Sequence, residues 1–156
     1  MEFEELVKTK IWFIDSLIAK YGEESMMWNS HFTLDESISS KEYAKFCYNK
    51  SGCIPFYISI SLFDIEFDID RFSECFVMSD EVTDKSPMRD FVNDLFTCHI
   101  RVLHQGKVLT KICFIGRNGN VKRKLTCYHG LLSLFSFLYR STENVFPPIR
   151  SLEEKG

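Results

Sequence analysis

No stretch of this sequence is long enough and apolar enough to cross a bilayer. The longest nearly apolar run, Leu131 to Tyr139, is interrupted by Ser133 and Ser136 and is about half the required length. No basic-then-apolar leader opens the chain, because Met1-Glu2-Phe3-Glu4-Glu5 is acidic. The expected location is therefore the cytoplasm, with no membrane partner. C-x-x-C pairs and histidines at zinc-finger spacing are also absent. Cys47, Cys53, Cys75, Cys98, Cys113 and Cys127 are scattered, so they are expected to be reduced thiols that pack as small apolar groups. Positive charge is not in excess. The formal net charge is −3, which opposes a global attraction to nucleic acid. Internal repeats, low-complexity tracts and interdomain linkers are missing too.

The catalytic signatures fail in the same way. The chain contains no G-x-x-x-x-G-K, G-x-G-x-x-G, G-x-S-x-G or H-E-x-x-H. His31, His99, His104 and His129 are dispersed, and no two of them have helical ligand spacing. Cys98 and His99 are adjacent, so on a strand they point to opposite faces and make no nucleophile–base pair. The expectation is a protein that is not an enzyme, with no catalytic residue, cofactor or metal.

What is present suffices for one packed domain. Hydrophobic residues make up 45% of the chain and aromatics 15%, with 15 Phe. A chain of this size needs neither disulfide nor metal to fold. Residues 1–146 are expected as a single domain, and 147–156, with Pro147-Pro148 and Glu153-Glu154-Lys155, as a loose tail. Phe3, Leu6, Val7, Phe13, Ile14, Leu17, Ile18 and Tyr21 follow helical spacing, with Gly22 as a stop. Residues 26–34 fit either extended or irregular structure. Ser39-x-x-Glu42 has the form of a capping box and predicts a short helix carrying Tyr43, Phe46 and Cys47 and ending by Gly52. Ser86-Pro87 predicts another helix start, with Met88, Phe91, Val92 and Leu95 on one face.

Residues 97–128 predict a three-stranded meander. Gly106 marks the first turn and Asn118-Gly119 the second. With Asn118 and Gly119 central, Ile112 falls opposite Leu125 and Thr110 opposite Cys127. With Gly106 in the left-handed position of a three-residue loop, Val102 faces Val108 and Cys98 faces Ile112. Arg101, Lys111, Lys122 and Lys124 then share the other face, with Arg117 beside the second turn. Residues 131–140 predict a helix with a narrow polar stripe of Ser133, Ser136 and Arg140. The fold class is α+β: N-terminal helices packed on a bent antiparallel sheet, then the meander and a short C-terminal helix.

Residues 56–70 are the most informative. Phe56, Ile58, Ile60 and Leu62 alternate with Tyr57, Ser59 and Ser61. The phase then slips by one, and Phe63, Ile65, Phe67 and Ile69 alternate with Asp64, Glu66, Asp68 and Asp70. A bulge or bend near Leu62-Phe63 keeps both halves on one core, and the lack of Gly or Pro there disfavours a hairpin turn. The four carboxylates form a row. Alternate strand positions lie roughly 6.6–6.8 Å apart, too far for neighbours on one strand to share a divalent cation. The simplest use of such a row is as a solvated sheet face. Four like charges on one face repel, however, and their interval is close to that of successive phosphates along a nucleic-acid strand. A basic groove in another protein would accept them.

A small aromatic-rich α+β chain without catalytic motifs, carrying Phe63-Asp64-Ile65-Glu66-Phe67-Asp68-Ile69-Asp70, resembles the immunity proteins of bacterial toxin systems, including contact-dependent growth inhibition. The resemblance implies neutralisation of a cognate toxin, often a basic nuclease domain, by stoichiometric binding. Asp64, Glu66, Asp68 and Asp70 would form the partner-binding face, and a strand edge would be available for pairing. The basic ribbon of Arg117, Lys122, Arg123 and Lys124 does not fit a purely acidic mimic. The order of elements over residues 1–130 also resembles the cone-shaped nuclear-transport-factor-like fold, which implies a small-molecule-binding or enzymatic domain instead. A third reading places nucleic acid on the basic meander with Tyr128 as a stacking platform. The net charge and the acidic row oppose it, and direct nucleic-acid binding is not expected.

Overall fold

A computed structural model describes residues 1–78 and 84–150. The last six residues of the expected tail, 151–156, lie outside the described residues. The class is α+β: helices α1 (Glu5–Ile18) and α2 (Ser86–Thr97) accompany two antiparallel sheets. The chain divides into two compact units, Met1–Ser51 with Pro55–Val92, and Gly52–Ile54 with Asn93 onward. The division also separates charge. Residues 1–92 hold nine Lys and Arg against eighteen Asp and Glu, and residues 93–150 hold nine against two.

In the first unit, α1 buries Val7, Ile14, Leu17 and Ile18 of the predicted stripe, together with Ile11, which the spacing did not single out, while Leu6 is exposed. A short 3-10 turn, Ala19–Tyr21, follows. Gly22, with φ of 80°, ends it in the left-handed conformation. Five strands then form a simple meander in sequence order: β1 (Phe32–Leu34), β2 (Tyr43–Tyr48), β3 (Phe56–Ser61), β4 (Asp64–Ile69) and β5 (Phe72–Val77). Its inner face carries Ala44, Phe46, Ile58, Ile60, Ile65 and Phe67, all essentially inaccessible. Each large side chain contributes roughly 1.5–3 kcal/mol relative to exposure. Phe67 also meets Phe91 of α2, with ring centroids 5.3 Å apart.

Two local expectations are corrected here. Residues 43–48 are strand β2 and not a helix. Buried Ala44, Phe46 and Tyr48 alternate with half-exposed Tyr43, Lys45 and Cys47, so a period of two with aromatic residues outweighs the capping-box signal. Ser39 caps a turn instead: its Oγ donates to the Asp35 carbonyl at 2.6 Å and accepts from the Lys45 N–H at 3.2 Å.

The phase slip at Leu62-Phe63 is a hairpin and not a bend. Ile60 pairs with Ile65, which leaves Leu62 and Phe63 as a two-residue loop. Partners across such a loop are an odd number of residues apart, so the alternation has to change phase. Ser61 makes the turn without glycine: its Oγ accepts from the N–H groups of Phe63 and Asp64, each at 3.1 Å. Lys10 of α1 also holds the turn. Its ammonium donates to the Ser61 carbonyl at 2.9 Å and also to that of Leu62.

The second unit is a four-stranded sheet in the order β8-β7-β6-β9, built from β6 (His99–Gln105), β7 (Leu109–Ile115), β8 (Val121–Tyr128) and β9 (Ser141–Phe146). Ile112 pairs with Leu125 and Thr110 with Cys127, as the Asn118-Gly119 signal predicts. A bulge between Phe114 and Ile115 places Gly119, at φ of 80°, at the end of the turn. The register at Gly106 differs from expectation, since Val102 pairs with Ile112 and Gln105 with Leu109. Residues 131–138 are 3-10 turns kinked at Phe135. Strand β9, which follows them, was not expected. It pairs with β6 and adds a fourth strand to the meander.

Candidate functional site

Strand β4 lies between β3 and β5, so its carboxylates sit within the sheet and not on an edge. Alternation turns Ile65, Phe67 and Ile69 inward, and Asp64, Glu66 and Asp68 occupy the opposite face, each half-exposed. The sequence-predicted row therefore comes together at three of its four positions. Asp70 occupies the turn to β5 and has φ of 54°. Aspartate tolerates this left-handed conformation better than most residues.

The neighbours of the row are set by register. Asp68 lies opposite Tyr57 and Ser73, and Glu66 lies opposite Ser59 and Cys75. The Ser61 hydroxyl donates to Asp64 Oδ1 at 2.5 Å, and the Ser73 hydroxyl donates to Asp68 Oδ1. The Cys75 thiol lies 3.5 Å from Asp64 Oδ2. Among the described residues one cation approaches the row: Lys45 Nζ stands 4.0 Å from Asp68 Oδ2 and 4.8 Å over the ring of Tyr57. A single ammonium at that distance leaves most of the like-charge repulsion in place. Partial burial, then the hydrogen bond and charge of Asp68, hold the Glu66 carboxyl above its usual range. Burial followed by the charge of Asp64 raises the Cys75 thiol. Phe63, in the β3–β4 turn next to Asp64, is exposed.

This face can receive cationic groups. Among the described residues no three His, Cys, Asp or Glu side chains converge to hold a metal ion. No protein-family model, curated protein or solved structure matches this chain.

A second carboxylate site was not legible from the sequence. Glu23 is buried and central to a network. It accepts from Tyr48 Oη at 2.8 Å and from Asn29 Nδ2 at 2.9 Å, and His31 Nδ1 lies 3.1 Å away. Burial alone would raise its pKa, but the hydrogen bonds from Asn29, Tyr48 and His31, with the charge of His31, outweigh burial and lower it. All its polar partners are satisfied, and they tie the 22–32 segment to β2. Residues 23, 29, 31 and 48 share no periodicity, so no sequence signal marks them.

The basic ribbon of the second unit is divided. Arg123 turns to Asp94, with Nε 3.3 Å from Oδ2. Lys124 shares its face with Cys113 and Arg101 across the sheet. Arg117 and Lys122 border an open cleft of about 460 Å³ that also includes Asn93 and Cys98. In the first unit, a separate open cleft of about 460 Å³ is lined by Trp12, Met27 and Trp28.

Proposed function

We propose that this chain is a stoichiometric binding protein whose acidic sheet face receives a basic protein, and that the partner is a cognate toxin of nuclease type. One observation carries the reading: Asp64, Glu66 and Asp68 share a face on which Lys45 is the nearby cation among the described residues, and Glu66 resists ionisation there. A cationic partner would relieve that repulsion. The gain on binding is then larger than for isolated surface carboxylates, and the field of the face speeds encounter. The acidic excess of residues 1–92 extends the same field. Exposed Phe63 and Tyr57 supply aromatic contact area beside the charges, as binding hot spots require. Neutralisation would follow from occupying the groove in which the partner holds nucleic acid.

The test neutralises the face without changing its shape. A variant carrying Asp64→Asn, Glu66→Gln and Asp68→Asn, checked for unchanged circular dichroism, is titrated against the most strongly retained protein from the native extract. The expected loss of affinity is roughly tenfold or more, equivalent to about 1.4 kcal/mol. Undiminished affinity removes the acidic face from the interface.

A further inference from the structure

The most anomalous surface lies in the second unit. Between β8 and β9 the chain leaves the sheet as a loop with a closed neck. The His129 N–H donates to the Val108 carbonyl at 2.8 Å, and the Arg140 carbonyl accepts from the Gly106 N–H at 3.4 Å. Both ends are thus pinned to the β6–β7 turn. The neck is sealed by Tyr139, whose ring lies so close to Gly106 that an added Cβ there would come within 2.7 Å of Cδ1.

Outside this neck, the loop buries almost none of its apolar side chains. Leu131, Leu134, Phe137 and Leu138 are exposed by 88, 77, 73 and 71%, and Leu132 and Phe135 by more than half. A groove in a partner protein covers one stripe of a helix. Here neighbouring positions along the turns are bare alike, so what covers them has to surround the loop. A fluid apolar phase does this and a rigid groove does not. No residue from Leu131 to Tyr139 is charged. Charge gathers at the neck instead, where exposed Lys107 and Arg140 flank the pinned ends. The unit behind them has nine Lys and Arg against two Asp and Glu over residues 93–150. Apolar side chains beyond a cationic collar fit an anionic bilayer surface, with the side chains among the acyl chains and the collar at the headgroups. Among the described residues no helix is long and apolar enough to cross a membrane, and this loop would lie in one leaflet.

We infer, in place of the sequence expectation of no membrane partner, that residues 131–139 dock this protein onto an anionic lipid surface, with Lys107 and Arg140 held at headgroup level. The acidic sheet face takes no part, so the two surfaces can be tested separately.

The experiment is flotation with phosphatidylcholine vesicles, with and without about a third phosphatidylserine. The protein floats with the anionic vesicles and much less with the neutral ones. The double substitution Leu134→Ser and Phe137→Ser weakens partitioning by roughly tenfold or more, because two large apolar groups no longer leave water. Lys107→Gln with Arg140→Gln weakens it by roughly fivefold per charge at low salt. Leu131→Ser with Leu138→Ser is a second loop variant, and unchanged thermal midpoints show that these exposed changes leave the fold intact. Neutralising Asp64, Glu66 and Asp68 leaves flotation unchanged. The inference is overturned if wild type does not float or if loop variants float equally well. It is also overturned if the loop variants instead abolish a concentration-dependent dimer, or if random RNA displaces the vesicles and binds the loop variants undiminished.

Discussion

Lys10 Nζ donates to the carbonyl of Ser61 at 2.9 Å, and so α1 is fastened to a hairpin turn 51 residues away. The same ammonium bonds the Leu62 carbonyl, and the residue is 6% exposed. Hydrogen bonds from a charged donor typically contribute about 1.5–3 kcal/mol, and removal of the donor would leave two turn carbonyls without it. Lys10→Met keeps the stem and deletes the donor. It is expected to lower the unfolding free energy by about 2 kcal/mol in urea titrations. No change would mean that the turn stands without the helix.

Glu23 makes stability depend on acid. Its carboxyl binds a proton less readily in the folded state, so the unfolded chain takes up more protons in the window below the ordinary value of 4.5. The contribution is complete above that value and disappears as pH falls through the depressed folded value. Glu23→Gln is expected to lower stability at neutral pH by about 1–3 kcal/mol, through a less well-satisfied buried network, and to flatten the acid limb. Parallel wild-type and variant curves from pH 6 to 3 would contradict this account.

Glu66 has the opposite sign. Its folded pKa is raised, so the site favours the folded state when protonated and loses that contribution as pH rises. At pH 7 the ionised face is a cost to folding. Glu66→Gln is expected to raise stability there by a few tenths of a kcal/mol, after solvent screening, while weakening partner binding. Wild type and variant should converge in acid. A variant less stable at pH 7 would show that the carboxylate is internally compensated.

Gly106 serves the loop neck through its backbone and its missing side chain. With φ of 55°, and with Tyr139 Cδ1 lying 2.7 Å from an added Cβ, alanine is both strained and crowded. Gly106→Ala is expected to cost about 1–3 kcal/mol. In a Tyr139→Ala background the cost should fall to the conformational part alone, as a double-mutant cycle would measure. Additive effects would separate the two residues.

The parts of the fold legible in the sequence are those whose chemistry is local. The α1 stripe, the Gly22 stop and the pairing of Ile112 with Leu125 follow from periodicity and from one Asn-Gly turn. The β3–β4 hairpin was hidden because its turn is made by a serine hydroxyl and by a lysine 51 residues distant, and no Gly or Pro marks it. Residues 43–48 carried two signals, and burial of Ala44, Phe46 and Tyr48 decided for the strand. The acidic row was visible as far as strand alternation holds, and it ends at Asp70 because the chain turns there. Residues 131–139 have the composition of a core segment. Their exposure depends on where the neck bonds place them, which composition does not encode.

The central claim concerns the charge of the β4 face, and the association rate tests it most directly. The rate constant for the captured partner is measured from about 20 to 500 mM salt for wild type and for the Asp64→Asn, Glu66→Gln, Asp68→Asn variant. The account predicts a wild-type rate that falls steeply with salt, and a variant that is slower at low salt, with a shallow slope that meets the wild-type curve at high salt. Equal rates and equal slopes for the two proteins would contradict it.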